Sequence, residues 1–262
     1  MAQIRKPVRW VAMLLLGTLL VSACDGRNDS AQDGAPGGKL VVFAAASLQE
    51  SFTELKKEFE QRHPDVGITL NFAGSSTLAR QVRRGAPADV FASANAAQMR
   101  NVVEAGGMVG DPRTFVRNEL RIAVPAGNPA GVEGIEVFGA EQPRIAVCAA
   151  EVPCGAAARR ALDAAGVELR ADTLEDDVKA VLTKVRLGEV DAGLVYRTDI
   201  VAAGDEVEGI DFAAAGKAVN DYEIGRVADA QNSAAAREFV TFVHSRQAQR
   251  ILADHGFETD VS

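Results

Sequence analysis

The chain has 262 residues, 47% of them apolar, 24% charged and only 5% aromatic, with a formal charge of −8 at neutral pH. Those proportions exclude a disordered or fibrous chain, and the length leaves room for two domains. The acidic balance excludes nucleic acid as a partner, because phosphate backbones are held by an excess of Lys and Arg.

The first residues read as a targeting segment. Arg5, Lys6 and Arg9 make a basic start, and the apolar run from Trp10 to Val21 is shorter than the ~20 residues of a membrane span. Val21-Ser22-Ala23-Cys24 resembles a bacterial lipobox, which predicts residues 1–23 as a lipoprotein signal peptide and Cys24 as the lipidated first residue of the mature chain. Cleavage there removes three basic groups and no acid, taking the formal charge to −11. Residues 24–38 carry almost no apolar side chain and are expected to form a flexible tether.

From Lys39 the pattern changes. Lys39 to Ala45 is a near-continuous apolar run, as in a strand buried on both faces. Leu48, Phe52, Leu55 and Phe59 recur at helical spacing, with Ser47 and Glu50 placed for a capping box. Val66, Ile68, Leu70 and Phe72 alternate as a strand, and a short helix is predicted over 76–84. A strand over 88–93 and a helix over 95–105 follow, the latter stopped by Gly106-Gly107. Strands are predicted over 119–124 and 144–148, a helix over 155–165, and another starting at Asp176 or Asp177. Strands over 192–196 and 222–228 and one long helix over 233–253 complete the series. Alternating strands and helices define an α/β class with mostly parallel sheets and helices on both faces.

With Cys24 given to lipid, Cys148 and Cys154 remain as a pair in an oxidising compartment. A disulfide is expected; a metal site, for which no His lies nearby, and two buried thiols are the alternatives. The three histidines, His63, His244 and His255, sit at or beyond helix ends and read as surface or capping residues. No Gly-x-Ser-x-Gly elbow, HExxH pair or P-loop occurs, and Asp191 and Asp199 read as solvated carboxylates, so no enzyme activity and no cofactor are expected.

Four junctions run from a strand into a helix start rich in small or hydroxyl residues: Ala44-Ala45-Ala46-Ser47, Gly74-Ser75-Ser76-Thr77, Val152-Pro153-Cys154-Gly155 and Glu175-Asp176-Asp177-Val178. Helix starts present unpaired N–H groups and a partial positive charge, so such junctions can hold an anion without a basic side chain. Singly, each is as readily a plain helix cap.

Together with FAAASL (Phe43 to Leu48), SSTLARQV (Ser75 to Val82), GAPADVFASA (Gly85 to Ala94), VPCG (Val152 to Gly155), EDDV (Glu175 to Val178) and GLVYRTD (Gly193 to Asp199), the chain resembles the periplasmic molybdate-binding proteins of ABC importers. The resemblance implies a two-lobed periplasmic-binding-protein fold with the ligand in the interlobe cleft. Residues 39–118 and 222–262 would form lobe one and residues 119–221 lobe two. It implies that molybdate, and tungstate with it, is held through its oxygens by Ser47, Ser75, Cys154, Val178 and Tyr196: three hydroxyls and backbone N–H groups. The partners it implies are the permease subunits of an ABC importer, with the protein a monomer anchored by lipid on the extracytoplasmic side of the membrane. Sulfate, thiosulfate or another oxyanion on the same scaffold is the alternative specificity, and a lipid-anchored hydrolase a more distant one. A ferric site would call for adjacent tyrosines, and Tyr196 and Tyr222 are far apart in sequence. In the family a small hydroxyl residue is common where Gly74 stands and Ala where Cys154 stands.

Overall fold

The computed structural model describes residues 37–261; the signal segment, Cys24 and the tether up to residue 36 lie outside them. The described chain builds two five-stranded sheets. The first holds β1 (Gly38–Ala45), β2 (Val66–Ala73), β3 (Val90–Ser93), β4 (Met108–Asn118) and, returning late, β10 (Asn220–Val227), in the order β2-β1-β3-β10-β4. The second holds β5 (Leu120–Pro125), β6 (Ile145–Cys148), β7 (Thr173–Glu175), β8 (Ala192–Tyr196) and β9 (Val207–Ile210), in the order β7-β6-β8-β5-β9. In each sheet one strand opposes the other four: β10 runs antiparallel to β3 and β4, and β5 antiparallel to β8 and β9. The rest run parallel. This is the α/β, two-lobed architecture with mostly parallel sheets.

Helices cover the faces because the strands are apolar on both sides. On β1, Leu40, Val42 and Ala44 join Phe52 and Phe59 of α1 (Gln49–Arg62) and Phe239 of α7 (Ser233–Val243). Phe43 points the other way, against Leu78 and Val82 of α2 (Ser75–Arg83) and Met99 and Val102 of α3 (Ala96–Glu104). The period of two along a strand thus feeds two separate cores. The second sheet is covered by α4 (Pro153–Ala165) and α5 (Val178–Arg186), whose Ala157, Ala161, Val181 and Val185 pack with Val147 and Leu194. The short α6 (Arg197–Ala203) follows β8, and α8 (Arg246–Asp254) closes the first lobe.

Several expectations are corrected. The last helix is two, because Ser245 starts a new one by accepting the Ala248 N–H on its side chain. Strands β4, β7 and β9 went unforeseen. β4 carries Gly110 and Pro112 and pairs irregularly with β10, while β7 and β9 are short. Gly38 belongs to β1, not the tether, and its N–H reaches the Asp65 carbonyl at 2.6 Å. No capping box forms at Ser47 and Glu50: a 3-10 turn over Ala46–Leu48 intervenes, α1 starts at Gln49, and Glu50 turns to Lys179.

The chain crosses from the first sheet to the second between Asn118 and Leu120, and returns between Ile210 and Asn220. The two crossing strands pair, with Asn118 opposite Asn220. Both asparagines are buried at the junction.

Candidate functional site

All the helix starts singled out in the sequence lie at the carboxyl ends of their strands, where open α/β sheets bind ligands. β1 runs into Ser47, β2 into α2 at Ser75, β6 into α4 at Pro153 and β7 into α5 at Val178. The ends from the first sheet face those from the second. Between them lies a small cavity of about 20 Å³, lined by Ala45, Ala46, Ser47, Gly74, Ser75, Ala94, Val152, Pro153, Cys154, Asp177, Val178 and Tyr196. Each of the five residues expected at the site therefore meets the same cavity, two from the first lobe and three from the second.

Local chemistry explains why each junction turns there. Gly74 precedes α2 at a point where a Cβ would sit 2.4 Å from the Asp176 carbonyl oxygen, so only glycine lets the two lobes approach this closely. Val152 leads α4, with Pro153 in the first turn, where its missing N–H costs nothing. A Cβ on Gly155 would fall 1.9 Å from the Ala149 carbonyl, so the α4 start presses directly on the loop it leaves. A disulfide joins Cys148 to Cys154 across that loop, the first of the three states open to the pair. Asp177 caps α5, its carboxylate accepting the Ala180 N–H at 3.0 Å. The first N–H groups of α2, α4 and α5 have no acceptor within their own helices and a positive dipole end behind them.

The hydroxyls are buried, and each is tied from behind. Ser75 Oγ accepts the Ala94 N–H at 3.0 Å. Ser47 Oγ lies 2.8 Å from Tyr222 Oη. Tyr196 Oη accepts from Asn220 Nδ2 at 2.8 Å. Burial, with the neighbouring Tyr222, pushes the Tyr196 phenol well above its ordinary pKa, and burial does the same to Tyr222. Both phenols stay protonated at neutral pH. Their rings stand only 6.0 Å apart, so the tyrosines separated in sequence are neighbours in space.

Sequence reasoning missed the polar residues behind the pocket. Asp199 is fully buried rather than solvated. It accepts the Tyr196 N–H at 3.0 Å and lies 3.1 Å from Lys179 Nζ. Burial raises its pKa despite that lysine. Lys179 in turn reaches Glu50 on the opposite lobe at 2.8 Å. Burial opposes its charge, but Asp199 and Glu50 outweigh it and raise its pKa. The lysine next to Val178 is thus a cation already committed to two carboxylates. The Tyr-Arg-Thr-Asp spacing carried a signal for Asp199, an acid three residues after a helix cap. Asn118, Asn220 and Tyr222 carried none beyond being polar residues at strand ends.

Among the described residues no group of three or more His, Cys, Asp or Glu could hold a metal ion, and no helix is long and apolar enough to cross a membrane. His63 and His255 fit the expected roles: His63 caps α1 and stacks on Phe59, and His255 bonds Glu54 at 2.9 Å. His244 caps α7 but is half buried, which, with Arg113 nearby, pushes its pKa down to about 4.

Two lobes with a cavity between the carboxyl ends of their strands are the architecture of a solute-binding protein, and the chain belongs to the bacterial extracellular solute-binding protein family, whose model matches residues 40–258. It is 38% identical over 258 residues to the molybdate-binding protein ModA of Mycobacterium tuberculosis, covering 95% of this chain and 99% of that one. To ModA of Escherichia coli it is 30% identical over 236 residues, covering 84% and 89%. The periplasmic molybdate-binding protein of Azotobacter vinelandii superposes with a TM-score of 0.73 at 19% identity, over 83% of this chain and 98% of that one, which shows the shared fold.

Proposed function

We propose that the protein captures molybdate, and tungstate with it, and delivers it to the permease subunits of an ABC importer. The observation that carries this reading is the donor set. Ser47, Ser75 and Tyr196 offer hydroxyls, Cys154 and Val178 offer helix-start N–H groups, and all five line one cavity. Molybdate is a dianion with acceptors only, so a pocket of donors suits it and fixed dipoles can hold it without a basic side chain. The relatedness to two ModA proteins supports the choice of molybdate over other oxyanions.

In this reading residues 38–118 and 220–262 form one lobe and residues 119–219 the other, with the boundaries moved from 39 and 222 because β1 starts at Gly38 and β10 at Asn220. The anion bridges the lobes and favours the closed form. Acylation of Cys24 holds the protein, a monomer without a cofactor, on the extracytoplasmic face of the membrane.

Isothermal titration of the Cys24→Ala chain without residues 1–23 tests the specificity. Tight molybdate and tungstate binding with sulfate weaker by at least about 100-fold is expected. Sulfate binding as tight as molybdate would sink the assignment and leave an oxyanion binder of another specificity. Metabolic labelling with palmitate tests the anchor: label that persists in Cys24→Ala contradicts it.

A further inference from the structure

Three of the residues that line the cavity are followed closely by a charged one. Glu50 comes three positions after Ser47, Lys179 directly after Val178, and Asp199 three positions after Tyr196. The fold gathers these followers behind the cavity. The Lys179 ammonium donates to both Glu50 oxygens, at 2.9 and 2.8 Å, and lies 3.1 Å from Asp199 Oδ1. The other Asp199 oxygen accepts the Tyr196 N–H at 3.0 Å.

The two carboxylates stand differently to the lysine. Asp199 is fully buried in the same lobe as Lys179, so that pair persists whatever the other lobe does. Glu50 comes from α1 on the opposite lobe, and its side chain is 36% exposed. Its bond to Lys179 exists only while the lobes are together, and an open form returns the carboxylate to water. An ordinary surface pair is worth little because both long side chains must be ordered to make it. Here Asp199 already holds the ammonium in place, so Glu50 meets a cation that has lost its freedom beforehand. A bond made in only one of two forms shifts the balance toward that form.

Resting on the oxyanion reading above, we propose that Glu50 and Lys179 clamp the lobes together: they are positioning residues that hold Ser47 across the cavity from Val178 and Tyr196 and so set how long the anion stays. The clamp lies outside the cavity lining, so it raises the affinity for each anion that fits by one factor and leaves the choice between them alone. Opening must break it, so it acts on release and not on entry.

Glu50→Gln removes the charge at almost constant shape and leaves Lys179 with Asp199. Glu50→Asp keeps the charge on a shorter arm, and it carries the test if Glu50→Gln fails to fold. Glu54→Gln is the control: it takes the same charge from the same helix, where the partner is His255 of the same lobe. On the unaltered chain and the three variants, release of radiolabelled molybdate is chased with excess tungstate. Affinities for both anions are measured by calorimetry, and small-angle scattering is recorded without anion. In Glu50→Gln release should quicken about tenfold with association unchanged, and both affinities should fall by that same factor. Glu50→Asp should lie between, and Glu54→Gln should match the unaltered chain. Unchanged release in Glu50→Gln, an equal change in Glu54→Gln, or a shifted ratio of molybdate to tungstate affinity overturns the clamp while leaving molybdate binding in place. An unaltered chain that binds neither anion overturns the functional reading instead. The clamp then stands on scattering alone, where a larger radius of gyration in Glu50→Gln supports it and an unchanged one overturns it.

Discussion

Tyr196 shows how little a residue's type says about its job. In the sequence it stands at the end of an apolar strand, where a packed aromatic is the ordinary outcome. In the structure its hydroxyl is buried against Asn220 and borders the cavity. Removing that one oxygen takes a hydrogen bond from the ligand and the nearer acceptor from the buried Asn220 amide: Tyr196→Phe is expected to weaken molybdate binding about 10- to 100-fold and to lower the melting temperature modestly, read by calorimetry and circular dichroism. His244 gives a pH effect away from the cavity. Its folded pKa of about 4 lies below the ordinary 6.5, so between those values the unfolded chain binds the proton and the native one does not. Stability therefore falls as the pH drops through that window, by about 1 kcal/mol after allowing for the ring's partial exposure. His244→Gln should flatten the decline, seen as a smaller difference between melts at about pH 7 and about pH 4. That Ser47, Ser75, Cys154, Val178 and Tyr196 meet at one cavity was legible because each sits in a motif at a strand–helix junction. Asn118, Asn220, Tyr222 and Lys179 were not, because a buried polar partner is defined by what faces it, and that comes from other elements, 24 residues away for Asn220 with Tyr196 and 175 for Tyr222 with Ser47.

The elements were legible wherever burial left a regular pattern, continuous or alternating. β1, β2, β3, β6 and β8 announced themselves as apolar runs or strict alternation, and the helices between them by spacing. β4 did not: its outer positions are polar, and Gly110 and Pro112 break the pattern at irregular pairing with β10. Two junctions yield predictions at this scale. Gly74→Ala places a methyl 2.4 Å from the Asp176 carbonyl, which holds the α2 start away from the loop entering α5. Molybdate affinity should drop at least about tenfold, since donors from opposite lobes no longer converge; calorimetry with an unshifted affinity would show that the loops yield instead. The Cys148–Cys154 disulfide closes a short loop, worth about 2 kcal/mol by loop entropy. Cys148→Ser with Cys154→Ser should lower the denaturation midpoint accordingly, measured by urea titration. Molybdate binding should survive, because position 154 is expected to donate its backbone N–H.

The whole molecule poses a charge question, since a chain with a formal charge of −8 is a poor attractor of dianions at long range. The site answers it locally. The lysine beside Val178 is neutralised by Glu50 and Asp199, and the cavity is lined with helix starts and hydroxyls, so binding should depend on fixed dipoles more than on net charge. Lys179 also bridges the lobes. Lys179→Met would leave Asp199 buried without its cation, and such losses cost about 3 kcal/mol or more. The α/β class followed from alternation and the two-lobed layout from the resemblance, whereas the pairing of the crossover strands, Asn118 against Asn220, is visible only in the fold. The central claim is that five neutral donors on two lobes hold a fully deprotonated oxyanion. Its most direct test is calorimetric competition of molybdate against sulfate and phosphate on the unaltered mature chain. The account predicts saturable one-to-one molybdate binding that sulfate displaces only at great excess and phosphate not at all. Equal competition by phosphate would contradict it.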